Sequence, residues 1–399
     1  MHKTVSRFCH SEPKALPLGG GRYSNLFTAL FIFSAAAIAY GTYGIYDAMT
    51  LWPPALRLDL RTALRKKYNN DLDESEAYFR RAWSTAKELP LSELAPQPYL
   101  KITGIAIALG SMLESSGRWD QAYGVYSDTL SHLREAENKV PLSIEEQLRG
   151  VALSCKLAEM ANATGRGDAE EEKWLVGAVE VILRHLAVSN STIIDGKPPS
   201  DKKSLDLPQW TSAVDLAAPF EALGTLYIRS GRDDYALPLF LQAVSFLVPT
   251  PPRTSSVADR CRGAQTMSSI CELLMRVNPS TDGIAQAESW SRRALDITMD
   301  ARNKLRRERT KWTQEMDPIC EVALAVSLFN IGVLREMAND KKEANRFLRM
   351  SLNHSQSIGL KEGIYVTSGC TSVTCPSGLL NFLELLPLPL ILYQNGTTA

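Results

Sequence analysis

Of the side chains in this 399-residue chain that are able to do chemistry, none falls into a catalytic pattern. There is no Walker-type phosphate loop, no HExxH helix for zinc and no GxSxG nucleophile turn. Gly19-Gly20-Gly21 follows no strand and reads as a flexible tether. The five histidines, His2, His10, His132, His185 and His354, are dispersed. His132 and His185 are expected at helix ends, where the dipole favours a cation. The seven cysteines, Cys9, Cys155, Cys261, Cys271, Cys320, Cys370 and Cys375, are odd in number and form no CxxC. Cys155, Cys261, Cys271 and Cys320 stand in apolar helical contexts and read as buried free thiols, with a disulfide framework the weaker alternative. CTSVTC (370–375) is not read as a metal site. No enzyme, metal or cofactor is therefore expected. Four N-x-S/T sequons, at Asn162, Asn190, Asn353 and Asn395, would matter only in a secretory compartment.

What remains is chemistry of association. Lys and Arg together number 44 and Asp and Glu 44, so a neutral chain gives no electrostatic case for nucleic acid. One segment breaks the balance. ARNKLRRERTKW (301–312) carries six basic residues and one acid. It reads first as a solvated helix extension, and alternatively as a contact of Arg306, Arg307 and Arg309 with anionic lipid head groups.

The elements that must position these groups begin with an apolar run. Tyr23 to Tyr46 is 24 residues without a charge, closed by Arg22 and Asp47. About 20 apolar residues cross a bilayer core as a helix, and a secretory h-region has only about 7–15. The run is therefore expected to be a single transmembrane helix (23–46) after a basic segment (1–22). Lys3, Arg7, Lys14 and Arg22 precede it with Glu12 as the only acid; Arg57, Arg61 and Arg65 follow within a similar distance, and the nearer positives are N-terminal. This places the N-terminus on the matrix or cytosolic side and the body in the trans compartment.

The body is all-α by pattern. Pro53-Pro54 opens a helix, and Leu56, Leu60, Leu64 and Tyr68 follow at steps of four. A second helix runs from about Leu72 to Glu88. Further helix pairs are expected at about 98–116 with 119–137, 143–163 with 168–188, 210–230 with 233–248, 255–277 with 282–313, and 318–338 with 340–358. Short turns join the partners, as in SSGRWD (115–120) and RSGRDD (229–234), and Pro-rich loops at 190–203 and 249–256 separate pairs.

The segment Leu216–Pro249 resembles a tetratricopeptide repeat (TPR). Gly224 and Tyr227 fit its first helix, and Ala236, Phe240 and Ala243 its second. Gly110, Ala122 and Tyr126 repeat the spacing, with Leu113 in place of the aromatic and Thr129 in place of the last alanine. Gly332, Ala344 and Leu348 form a third copy, with Arg335 replacing the aromatic and Ser351 the alanine. Phe79 and Ala82 mark a fourth, Ala287 and Ala294 hint at a fifth, and the pair at 143–188 fits poorly. The expected fold is a TPR-like α-solenoid of about six helix pairs over residues 53–360.

From the anchor to about Gly363 the chain is similar to fungal mitochondrial inner-membrane tetratricopeptide proteins related to the yeast adaptor of the i-AAA protease. The resemblance implies a short N-terminus in the matrix, repeats in the intermembrane space, and a role presenting unfolded clients to a membrane ATP-dependent protease. An outer-membrane or peroxisomal receptor, or an endoplasmic-reticulum co-chaperone, is the alternative. The repeat's register turns Ser111 and Glu114 of one copy, Glu221, Thr225 and Arg229 of the next, and Glu336 of the last toward a groove that first helices line. This mixture lacks a Lys/Arg clamp for a carboxylate terminus and suits extended segments. After SIGLKEG (357–363) the helical pattern is expected to collapse into an irregular tail, 364–399, that reads as a gene-model artefact.

Overall fold

The computed structural model describes residues 51–191, 212–249, 255–308, 318–361, 363–365 and 367. The apolar run 23–46, the basic segment before it and nearly all of the tail lie outside these. Among the described residues there are twelve α-helices, one 3-10 turn and no strand.

The chain divides into two compact units, 1–96 and 97–399. In the first, α1 (Pro54–Tyr68) packs antiparallel on α2 (Leu72–Glu88), followed by the 3-10 turn Leu91–Leu94. Proline at the first turn of α1 needs no amide partner there and presets φ. Leu56, Leu60 and Ala63 bury one face of α1 against Phe79, Ala82 and Ser75 of α2, and the Ser75 hydroxyl donates to the Ala63 carbonyl at 2.8 Å.

The second unit holds five pairs: α3 (Pro98–Ser115) with α4 (Trp119–Glu137), α5 (Ile144–Ala163) with α6 (Asp168–Ser191), α7 (Ala213–Arg229) with α8 (Asp233–Leu247), α9 (Val257–Val277) with α10 (Thr281–Glu308), and α11 (Pro318–Met337) with α12 (Lys341–Ile358). Each helix packs on its partner, and each second helix packs on the first helix of the following pair. The starts are written locally. Ser143 with Glu146, Ser212 with Asp215 and Ser256 with Asp259 form reciprocal capping boxes. Glu146 does more: its second oxygen accepts the Tyr99 amide at 3.0 Å, so one carboxylate caps α5 and the first turn of α3. Within four of these pairs the chain reverses through a residue in the left-handed region, Gly117 at φ 73°, Gly165 at φ 66°, Gly231 at φ 71° and Asn339 at φ 62°, a region that glycine and asparagine adopt most readily.

The repeat signature is a set of close approaches. A Cβ built on Gly110 would stand 2.4 Å from the Tyr126 ring, on Gly224 3.0 Å from the Phe240 ring, and on Gly332 2.8 Å from Leu348. Ala122, Ala236, Ala243 and Ala344 are buried beside them, and Tyr227 is half-buried against the same core. The departures have physical reasons. Leu113 is fully buried where the aromatic would stand. The Thr129 hydroxyl is buried and donates to the Val125 carbonyl, and that of Ser351 crosses to the Ala325 carbonyl at 2.9 Å. Arg335 replaces packing with an ion pair to Glu288 at 2.6 Å. The repeat intervals exceed the usual length because helices such as α6, with 24 residues, and α10, with 28, are long.

Three expectations are corrected. Cys261 and Cys320 are not free thiols: they form a disulfide joining α9 to α11, two first helices that pack side by side. Cys155, half-buried, and Cys271, buried, are free, and desolvation of the sulfur pushes each thiol up to about 12, so neither is a nucleophile at neutral pH. His132 and His185 do not sit at helix ends. His132 lies within α4 with its ring tilted on Tyr99, and His185 lies within α6. The tail does not collapse at once: residues 363–365 and 367 are helical, Gly363 and Thr367 are buried, and the Thr367 hydroxyl donates to the Gly363 carbonyl.

Among the described residues, α11 is the one helix long and apolar enough to cross a membrane, with mean hydropathy 1.5. It is a core helix, since 78% of that window is buried within the protein.

Burial also sets an acid response. His185 is held below the ordinary histidine value by burial and by Arg184. His354 is lowered by burial first and by Arg302, against the opposing pull of Glu321. A histidine depressed in the folded state binds its proton more readily when unfolded, so stability is full above the unfolded value, about 6.5, and falls as pH drops below it. The melting temperature is therefore expected to fall between pH 7 and pH 5.5, with His185→Gln and His354→Gln together flattening the slope; an unchanged slope would contradict the burial effect.

Candidate protein-binding face

The first helices α3, α5, α7, α9 and α11 run side by side, each touching the next. Between the buried stripes each presents a line of half-exposed or exposed residues at helical spacing. These are Ile107, Ser111 and Glu114 on α3, Ala152, Cys155 and Glu159 on α5, Ala222, Thr225 and Arg229 on α7, and Arg262, Gln265 and Ser269 on α9. Apart from Ile107, the line is small or polar and of mixed sign. The last first helix, α11, departs from this, since nearly all its residues are buried.

The charges along this face are largely consumed by neighbouring helices. Glu114 pairs with Lys156 of α5 at 2.9 Å and accepts the Tyr126 hydroxyl at 2.6 Å. Glu221 takes both Arg262, at 2.9 Å, and the Thr266 hydroxyl of α9. Arg229 reaches back to Glu171 at 2.6 Å and to Asp168 of α6. The Thr225 hydroxyl donates to the Glu221 carbonyl at 2.8 Å. Ser111 and Glu336 are half-exposed. Of the six sequence-derived residues, Ser111, Glu114, Thr225 and Arg229 stand half-exposed or exposed on α3 and α7, while Glu221 is buried beneath the α7 line. Glu336 lies near the end of α11, where the face has closed. Of the lipid-contact arginines, Arg307 is exposed on α10, while Arg309 and the side chain of Arg306 lie outside the described residues.

Sequence reasoning missed the partners. Lys156 and Arg262 hold two groove carboxylates, and Arg232 grips Glu172 through two bonds at 2.8 and 2.9 Å. That contact, helped by the Tyr227 hydroxyl, holds the Glu172 carboxyl below its usual range. Tyr123 lies between Glu170 at 2.6 Å and Trp174 at 2.9 Å, with Arg166 stacked 4.0 Å above its ring. A signal existed: Arg262 lies 41 residues after Glu221 and Glu170 47 after Tyr123, close to one repeat period. Opposite or hydrogen-bonding types at that interval mark adjoining repeats. Among the described residues no group of His, Cys, Asp or Glu is placed to hold a metal ion.

This architecture defines an all-helical solenoid of tetratricopeptide type. The tetratricopeptide-repeat family model matches residues 106–140, which span the end of α3, the Gly117 turn and α4. The chain is also similar to a TPR repeat-containing protein of Schizosaccharomyces pombe, 24% identical over 292 residues, or 71% of this chain and 68% of the relative. Solved structures with similar folds include BtubC from P. vanneervenii (TM-score 0.46, 13% identity, 72% of this chain and 92% of that one). Two others are the TPR protein YrrB, described as having an unusual peptide-binding site (0.38, 13%, 73% and 97%), and the S. pombe nuclear import adaptor Nro1 (0.44, 12%, 83% and 98%).

Proposed function

We propose that this chain is a non-enzymatic, membrane-anchored adaptor whose TPR face docks extended protein segments. The observation that carries the reading is the open stripe from Ser111 to Ser269. Its residues are small or polar, and Glu114, Glu221, Arg229 and Arg262 are already neutralised within the fold. Such a surface rejects neither sign of charge and favours backbone hydrogen bonding over a single charged terminus. The uncharged run 23–46 would confine the face to a membrane plane and raise its effective concentration beside a co-anchored enzyme. The similarity to inner-membrane TPR proteins makes an i-AAA-type protease the proposed enzyme, unfolded proteins the clients, and the intermembrane space the compartment of the body. The Cys261–Cys320 bridge supports an oxidising compartment over a reducing one.

The full chain in detergent is expected to bind reduced, carboxymethylated lactalbumin, a permanently unfolded probe. Ser111→Glu with Thr225→Glu, which sets two unpaired anions in the stripe against the carboxylate-rich probe, should weaken that binding at least about tenfold, the equivalent of about 1.4 kcal/mol. Equal binding by the variant would remove the face from the reading. Protease protection of the body in mitochondria but not in mitoplasts tests the location.

The disulfide together with sequons at the exposed Asn162 and Asn353 favours one second reading, a body in the endoplasmic-reticulum lumen. A mobility shift on endoglycosidase treatment decides for it, and no shift with mitochondrial protection decides against it.

A further inference from the structure

Helix α1 is unlike every other first helix. Its buried side is the Leu56, Leu60, Ala63 stripe against α2. Its opposite side combines large apolar side chains with unpaired positive charge. Leu58 is 73% exposed, Leu64 56% and Tyr68 92%. Arg61 and Arg65 lie between them on the same outward face and are themselves exposed. The helix carries five basic residues and a single acid. That acid, Asp59, faces Arg81, and Lys66 is engaged by Asp71 and Glu74. Arg61 and Arg65 have no carboxylate partner among the described residues.

Water is a poor partner for such a face, and an ordinary protein partner would not require three large apolar groups interleaved with two bare guanidinium groups. A lipid interface matches both halves: Leu and Tyr enter the acyl boundary while arginine meets phosphate. The chain's own connectivity points the same way. Seven residues separate Tyr46, the end of the uncharged run, from Pro54, the start of α1. Even fully extended they reach less than about 30 Å. If the run spans a bilayer, α1 cannot leave its surface by more than that distance.

We propose that the outward face of α1 lies on the bilayer beside the anchor and takes anionic phospholipid head groups through Arg61 and Arg65, with Leu58, Leu64 and Tyr68 in the interface. The contact would fix the first helix pair against the membrane. It rests on the anchoring of residues 23–46.

The test uses the full chain in nanodiscs of phosphatidylcholine alone or with cardiolipin, with dansylalanine introduced at position 58 by amber suppression. Blue-shifted emission, quenched by brominated lipid and stronger with cardiolipin, is expected. Arg61→Glu with Arg65→Glu should leave the chain in the disc and lower the bound-to-free ratio of the α1 face about fivefold per arginine, the factor for about 1 kcal/mol per surface charge. A chain in the disc with a water-exposed probe in both lipids, or a cardiolipin response untouched by the double substitution, overturns the contact alone. A chain recovered outside the discs overturns the anchoring and the contact together.

Discussion

Replacing Cys261 and Cys320 by serine is expected to cost about 4 kcal/mol, the loop-entropy value for a bridge whose ends are 59 residues apart. The loss should be felt in α9–α12 rather than throughout, because each repeat of a solenoid contacts only its neighbours. Hydrogen exchange should therefore speed up in α9, α10 and α11, with α3–α6 little changed, and the first thermal transition should drop by roughly 10 °C. Reduction of the wild-type chain should reproduce the effect. Cys271→Ser is the control, since that thiol is buried but unbridged. A double substitution that leaves stability and exchange untouched would remove the staple from the account of the fold. The same bond bears on location. Isolation from the native source in bridged form, with free thiols blocked at lysis, is expected for a body in an oxidising compartment. A wholly reduced pair would count against the intermembrane space and the endoplasmic reticulum alike.

Phe240→Ala is expected to be the most damaging single core substitution, at about 3–5 kcal/mol in urea unfolding. The ring is 2% exposed and packs face-on against Gly224, so close that a Cβ at residue 224 would stand 3.0–3.1 Å from three of its atoms. It belongs to a cluster with Ala236, Val244, Ala264, Met267 and Ala294, spanning α8, α9 and α10. The three alanines lie on helical backbones that cannot fold inward to fill the gap, so much of the cavity persists. The converse change, Gly224→Val, forces the ring away and should cost about 1–3 kcal/mol. The two should not add: Gly224→Val in the Phe240→Ala background is expected to recover stability by filling the vacated space. Additive losses would show that ring and glycine do not act as one contact.

The helices were legible because their causes are local. The Leu56, Leu60 stripe, the prolines and the Gly117 and Gly231 turns each act within a few residues, and the helical period does the rest. The signature glycines were legible for the same reason: close approach of antiparallel neighbours across a short turn admits only a missing side chain opposite Tyr126, Phe240 or Leu348. The groove register placed Glu114, Glu221, Thr225 and Arg229 on the first helices, but their chemistry was not written in their types. Glu114 and Glu221 look like free carboxylates in sequence and are ion-paired in the fold.

What sequence alone determined was the repeating unit: amphipathic hairpins with gaps and rings at fixed offsets, in a chain of zero net charge with an uncharged run ahead of the hairpins. Tertiary structure decided which of that unit's groups stay available. Stacking set Lys156 against Glu114, Arg262 against Glu221, Cys261 against Cys320, and buried α11 despite its membrane-like hydropathy. Those outcomes depend on how long helices offset each pair from the next. That offset is a sum over many side-chain contacts, so no single segment of the chain encodes it.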